Sequence, residues 1–430
     1  MGVLVTASLQ SMEETVVATL LQLIVIILFA RVAGAAAVLV RQPRAAGEIV
    51  AGLLLGPSLF GTFFPELSHA IFSPVAAAPI QILSQIGLIL LMFQIGSDFE
   101  FGHLSEVRNR KAVTYVAIAS IAAPLATGLI IGWQSAAILA PGKNVAIYSL
   151  FVGIALAITA VPILGRILRE YSLTRHETGV IAITAAAAND VVGWLLLAAA
   201  AAYASAQFSL PHYGLQIAGL LALAGVLYAG GRPAVDWLLR KFPIQNGLLP
   251  SSLIAIVFAM VFVAGIATQK LGIFTIFGGF LVGLLFHRHT DFVEAWRRQV
   301  GTFVLVFFLP IFFTYTGLRT NVLGLDSWSD WTWCAGIVAA ATLAKIIPVH
   351  IAARAARVPR HQALILGVLM NTRALMELIV LNVGLSLGFI PTDVFTMLVI
   401  MAITTTVMTG PLLQFLLRRT GQTAHNLVEA

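Results

Sequence analysis

The amino-acid sequence predicts an all-α membrane protein of 13 transmembrane helices, arranged as two inverted six-helix repeats joined by one helix. Three observations carry the prediction. Of 430 residues, 59% are apolar and 10% are charged, whereas a soluble domain carries about 25% charge. The apolar residues fall into stretches near the ~20 residues that a helix needs to cross a bilayer. The basic residues sit between those stretches, and they favour one side. So little charge cannot cover a globular surface, which excludes a soluble enzyme, a disordered chain and a disulfide-stapled secreted domain. Cys334 is the one cysteine, so there is no disulfide framework and no multi-cysteine metal site. The formal charge of +7 comes without an extended basic run, and no nucleic-acid partner is expected.

Span 1 covers 16–40; Glu13 and Glu14 precede it with no basic segment, so it reads as a retained helix rather than a cleaved leader. Span 2, 44–60, opens near Glu48, whose carboxylate suits a helix N-terminus. Span 3, 78–98, carries Gln94, and span 4, 111–133, starts at Lys111. Span 5, 146–169, contains Pro162, which removes a backbone donor and crowds the preceding turn. Span 6, 177–203, contains Asn189 and Asp190. Span 7, 214–239, is the joining helix and ends at Arg240 and Lys241. Spans 8 and 9, 249–268 and 271–287, are separated by Lys270, and span 10, 297–318, is bounded by Arg297 and Arg319. Span 11, 333–356, contains Lys345, and span 12, 361–385, contains Asn371, Thr372, Arg373 and Glu377. Span 13, 392–418, ends at Arg418 and Arg419.

These spans form a single membrane domain over 1–430, with repeat 1 at about 16–203, the linker helix at about 214–239 and repeat 2 at about 249–418. The loops are too short for a separate soluble domain, and no cytoplasmic regulatory domain is expected. With the N-terminus outside, every Lys and Arg lies at or near a cytoplasmic end except Lys143, Lys270, Arg319, Lys345 and Arg373. The C-terminus is then cytoplasmic, and an even number of spans scrambles the pattern. The expected location is a bacterial inner membrane.

The sixes match weakly in sequence. Gly52-x-x-x-Gly56 of span 2 corresponds to Gly279-x-x-x-Gly283 of span 9, and Gln94-Ile95-Gly96 of span 3 to Tyr315-Thr316-Gly317 of span 10. GxxxG alone also marks any close helix packing in membranes. Inverted repeats are a transporter architecture with binding at the midplane, on interrupted helices.

A charge at the bilayer centre costs about 2.5–3.5 kcal/mol even on the lenient insertion scale. At 1.5 Å per residue Asp190 lies about 20 Å from its cytoplasmic end. Thr159, beside the Pro162 interruption, has a similar depth, as do Lys345 and the Asn371, Thr372, Arg373 and Glu377 group. Carbonyls freed by Pro162 need protein, water or an ion as partner. Two acids, two bases, two amides and two hydroxyls therefore share one slab, the layout of a midplane ion site. Each also has a structural alternative. Arg373 and Glu377 are spaced as a helical ion pair, Lys345 could only neutralise Asp190, and Thr159 could bond within its own helix. Gln94 reads best as a packing hydrogen bond. Asp190 is hardest to explain structurally. His287 and His289 are two apart and face different sides, there is no HExxH or nucleotide-binding motif, and no catalytic set, resident metal or cofactor is expected.

Four segments resemble monovalent cation:proton antiporter family 2, the Kef-type K⁺/H⁺ and Na⁺/H⁺ exchanger membrane domain. They are Gly47-Glu48-Ile49-Val50-Ala51-Gly52-Leu53-Leu54-Leu55-Gly56-Pro57-Ser58, Thr159-Ala160-Val161-Pro162-Ile163-Leu164-Gly165-Arg166-Ile167-Leu168, Asn189-Asp190, and Met370-Asn371-Thr372-Arg373-Ala374-Leu375-Met376-Glu377-Leu378. The resemblance covers the whole chain. It implies crossed broken helices at spans 5 and 12 in an ion-translocating bundle, a homodimer, and an elevator-type motion. It also implies a cation-binding aspartate at Asp190 and a lysine partner at Lys345. The family usually has glycine where this chain has Ala374, which puts the second break in question. Kef-type proteins usually continue into a cytoplasmic regulatory domain, so that regulation is not assumed here.

The expected activity is exchange of a monovalent cation, K⁺ or Na⁺, for H⁺. Ionised Asp190 binds the cation with help from Asn189, Thr159 and freed carbonyls, and protonated Asp190 does not. Lys345, Glu377 and Arg373 form a supporting charge network, with Gln94, Asn371 and Thr372 as lesser candidates. An amide at Asn189 cannot titrate, which predicts an electroneutral 1:1 cycle. A sodium-coupled organic-solute symporter of similar fold and a cation channel are the alternatives; the first gives solute-dependent flux and the second flux without obligatory proton counterflow.

Overall fold

The computed structural model describes the chain except residues 1, 40, 41, 43, 73–75, 99–109, 172, 174, 175, 206–209, 272, 273, 374 and 420–430. The sequence readings at Arg41, Arg108, Arg175 and Ala374 lie outside the described residues. Among those described, the backbone is helical apart from turns and one isolated bridge between Gln245 and Leu248. In chain order the main helices are α1 (Gly2–Leu39), α2 (Arg44–Leu54), α3 (Ala77–Ser97), α4 (Arg110–Leu139), α5 (Val145–Ala157), α6 (Val161–Glu170) and α7 (Glu177–Ser205). They continue with α8 (Leu210–Val226), α9 (Arg232–Lys241), α10 (Ser251–Lys270), α11 (Thr275–Phe286), α12 (Thr290–Trp296) and α13 (Leu309–Leu318). The last four are α14 (Trp328–Ala355), α15 (Arg360–Met370), α16 (Leu375–Ser386) and α17 (Thr392–Arg419).

Among the described residues, each predicted span falls mainly on helix. Among the described residues, eight helices are long and apolar enough to cross a membrane, and α15 with α16 make a ninth if that bent pair is one span. The sequence count of 13 is larger because it includes apolar stretches whose helices are short. At 1.5 Å per residue, 11 residues in α2, 13 in α5 and 12 in α11 reach only about 17–20 Å of a ~30 Å core. Span 2 ends at Leu54 rather than at 60, because Pro57 has no N–H and disfavours helix at the residue before it. Span 7 runs from α8 through the wider turn Leu227–Gly231 into α9.

The chain divides into two compact units. The first comprises Met1–Ala33, Ala51–Glu100 and Ala201–Arg319. Its glycines allow backbones to touch. A Cβ on Gly52 would collide with the Phe313 carbonyl and one on Gly56 with the Gly317 carbonyl, where α13 ends. Likewise a Cβ on Gly279 would meet the Ile89 carbonyl, and one on Gly283 the Phe93 carbonyl of α3. The GxxxG of span 2 thus packs on the end of span 10, and that of span 9 on span 3. Phe93 also sits 4.6 Å from the Trp296 ring and edge-on to Phe286 and Phe292. At the end of α3 Arg297 donates to Asp98 at 2.9 Å.

The second unit comprises Gly34–Val50, Phe101–Ala200 and Thr320–Ala430. It holds both interrupted helices. Between α5 and α6, Ile158 is extended (φ −68°, ψ 144°), and Pro162 is the second residue of α6, where a missing N–H costs little. Between α15 and α16 the helix stops at Met370 and restarts at Leu375, with a bend of 41°. The N-terminus of α14 is closed by a capping box, Ser327 with Asp330.

Candidate functional site

An unbroken helix across residues 154–161 would give each N–H to the carbonyl four residues earlier. The break at Ile158–Ala160 releases three such pairs, and the released groups find other partners. The Ala155 and Leu156 carbonyls accept from the two arms of the Arg373 guanidinium, both at 2.6 Å. The Ala157 carbonyl accepts from Lys345 Nζ at 2.5 Å and Asn189 Nδ2 at 3.1 Å. The Thr159 N–H donates to Asn189 Oδ1 (3.1 Å), the Ala160 N–H to the Thr372 carbonyl (2.9 Å) and the Val161 N–H to the Asp190 carboxylate. Buried backbone groups must be paired somewhere, and here five side chains and main-chain groups from α7, α14 and the α15–α16 break do it. The Thr159 hydroxyl donates to the Met370 carbonyl at 3.1 Å, so with the two Arg373 bonds and the Ala160–Thr372 bond the two broken helices are tied together four times.

Lys345 is fully buried. Its three protons go to the Ser120 carbonyl (2.7 Å), the Ala157 carbonyl (2.5 Å) and the Thr159 hydroxyl (2.8 Å). It interacts electrostatically with Asp190 and Glu377 but is hydrogen-bonded to neither. Asn189 is a clamp: besides Thr159 and Ala157 it reaches the Ser120 hydroxyl at 3.2 Å and the Ser120 carbonyl at 3.4 Å. Ser120 was not singled out from sequence. Its carbonyl is open because Pro124, four residues on in α4, has no N–H to give it.

Asp190 is 3% exposed, and its Oδ1 has no partner. The Ile158 and Thr159 carbonyls, just before Pro162, receive none of the described hydrogen bonds. These are the open oxygens that the Pro162 reading anticipates; the Ala155, Leu156 and Ala157 carbonyls, by contrast, are taken. Arg373 and Glu377 are both fully buried but only 3.7 Å apart at their nearest, with neither Glu377 oxygen hydrogen-bonded. The guanidinium instead serves as a cap for α5, and Thr406 fixes its backbone through the Arg373 N–H (3.1 Å) and carbonyl (2.6 Å). Thr372 bonds back to Leu369 at 2.7 Å, and the Asn371 side chain is buried with both polar atoms unpaired. Gln94 belongs to the other unit, buried against Gly301. His289 pairs with Asp236 at 3.1 Å, and His287 Nδ1 lies 2.6 Å from the Leu284 carbonyl; both are in that other unit.

Apolar helices of membrane-spanning length, two of whose neighbours are broken around a buried charged cluster, define a polytopic membrane protein built about a polar core. The chain belongs to the sodium/hydrogen exchanger transmembrane family, which it matches over residues 23–419. It is 36% identical over 401 residues to the Na⁺/H⁺ antiporter NhaS4 of Synechocystis sp., covering 93% of this chain and 97% of that one. It is 27% identical to the K⁺/H⁺ antiporter 1 of Saccharomyces cerevisiae, covering 87% of this chain and 44% of the yeast protein. The chain thus spans nearly all of the first relative and less than half of the second. The sodium proton antiporter MjNhaP1 of Methanocaldococcus jannaschii shares the fold, with a TM-score of 0.62 at 15% identity over 98% of this chain and 99% of the other. The protein is an integral membrane protein of a transporter family rather than an enzyme family.

Proposed function

We propose that this protein exchanges a monovalent cation, K⁺ or Na⁺, for H⁺ across the membrane, with the two ions competing for Asp190. The observation that carries this reading is a buried carboxylate with one oxygen unpaired at the crossing of two broken helices. A cation binds the ionised form, and a proton displaces it. The names of the Synechocystis and yeast relatives support both ions as substrates. Asn189 cannot titrate and is committed to holding the break, which favours one cation per proton and an electrically silent cycle.

The residues of the Asp190 cluster all belong to one compact unit. That supports an elevator-type cycle in which this unit carries the ion. The reciprocal packing of the two GxxxG segments supports the inverted repeat. The protein works as a homodimer with its N-terminus outside. The test is proton efflux from proteoliposomes on adding Na⁺, K⁺, Li⁺ or Rb⁺. Wild type responds to at least one ion, and Asp190→Asn to none; undiminished flux in the variant removes the assignment.

A further inference from the structure

Lys143, between α4 and α5, is a cation without a counter-charge. From Arg110 to Arg169 the sequence contains no Asp or Glu, and the Lys143 ammonium has no ion pair or hydrogen bond among the described residues. The turn that carries it is tightly specified. Pro141 and Gly142 (φ 76°) occupy its centre, and the Lys143 N–H returns to the Ala140 carbonyl at 3.1 Å. Pro followed by a positive-φ Gly is the pattern of a type II turn. Asn144 then caps α5 by accepting the Ile147 N–H at 3.2 Å. Lys143 is the one charged residue lining an open concavity of about 460 Å³ between the end of α4 and the start of α5. The rest of the lining is apolar or aromatic, mainly Ala136, Ala137, Ala140, Pro141 and Trp133. Trp133 is 70% exposed, and its indole N–H has no hydrogen bond among the described residues. The 30 residues of α4 are about 45 Å long, with Trp133 about 35 Å from Arg110. A ~30 Å hydrocarbon core that begins near Arg110 and Lys111 therefore ends near Trp133, which puts the concavity at headgroup level.

We propose that this concavity binds an anionic phospholipid, with its phosphate on Lys143 and its acyl chains against Trp133 and the exposed side of α4. The occupant follows from charge and depth. A basic residue at the membrane surface attracts anionic lipid, and here it stands beside an apolar hollow. A soluble anion satisfies Lys143 but gains nothing from the hollow. A zwitterionic lipid fills the hollow but brings its own ammonium towards Lys143. Leu129, Ile130 and Trp133 are three and four residues apart and all exposed, so they form one apolar track along α4 leading from the concavity towards the membrane centre. Trp133 suits the boundary because its ring is apolar and its N–H is a donor. No residue of the Asp190 cluster takes part, so the inference stands apart from the exchange reading.

The test counts phospholipid on the delipidated, purified protein by native mass spectrometry, with phosphatidylglycerol and phosphatidylcholine of matched acyl chains as probes. At equal lipid concentration Lys143→Ala retains less phosphatidylglycerol than wild type, by about one per chain, and as much phosphatidylcholine. Lys143 is exposed, so the variant keeps its fold, read as an unchanged Tm in lipid-free detergent. Should it unfold, Lys143→Gln is judged by the same comparison. Lys270→Ala, which removes an exposed cation at the end of α10, retains as much of both lipids as wild type. Equal phosphatidylglycerol on wild type and Lys143→Ala overturns the proposal. An equal loss in Lys270→Ala also overturns it, because the response is then to net charge, as does an equal loss of both lipids in Lys143→Ala, because the hollow then has no charge preference. Release of the same amount of phosphatidylglycerol from wild type by inorganic phosphate assigns the concavity to a free anion and overturns the lipid.

Discussion

Arg373 holds the end of α5 with both arms of its guanidinium, and an ammonium cannot make that fork. Arg373→Ala leaves two carbonyls without donors and strips Glu377 of its counter-charge. Breaking a buried pair of this kind costs about 3–5 kcal/mol, so the variant unfolds at a clearly lower temperature in detergent, and Arg373→Lys recovers only part of the loss. Asp190→Asn has a different signature. The amide keeps an acceptor for the Val161 N–H and the volume of the carboxylate, so Tm stays near wild type while exchange is lost. The charged members of this cluster were visible in the sequence because each interrupts an apolar run at similar depth. Ser120 was not, because a buried helical serine ordinarily bonds back to its own helix, as this hydroxyl does to Ala117 at 2.9 Å. The signal was Pro124: a proline inside a span marks the carbonyl four residues before it as open.

Helix breaks are where the sequence informed least. Pro162 indicated an interruption, but not that the released carbonyls would be shared among Arg373, Lys345 and Asn189, because those partners lie up to 218 residues away in the chain. The second break includes Asn371–Arg373, between Met370 and Leu375. Its groups are held from outside by Thr406 and by the Ala160 N–H, so the interruption is a tertiary property more than a local one. Span ends were misjudged for a related reason. Apolar composition marks a stretch, whereas the helix within it ends where a backbone donor is lost, as ahead of Pro57. The GxxxG pairs, which the sequence offers as a match between the repeats with close packing as the alternative, are points of backbone contact. Gly283→Val drives a side chain into the Phe93 carbonyl and backbone near Gly96. Overpacking costs about 1–3 kcal/mol, so the variant gives less folded protein and a lower Tm, whereas Gly336→Ala, with open space at its Cβ, changes neither.

At the scale of the whole molecule, one unit carries Asp190, Lys345, Arg373 and both broken helices, and a second is built on glycine-mediated contacts. The proposed cycle moves one cation against one proton, so exchange in sealed vesicles generates no membrane voltage, as read by a potential-sensitive dye; a voltage assigns a second proton to Lys345 or Glu377. The claim beneath all of this is that one carboxylate gives up its proton when it takes a cation. It is tested most directly by counting protons released when saturating K⁺ or Na⁺ is added to purified, weakly buffered protein. Wild type releases up to about one proton per chain, and Asp190→Asn releases none. Equal release from the variant, or none from wild type at any pH where exchange is active, contradicts the account.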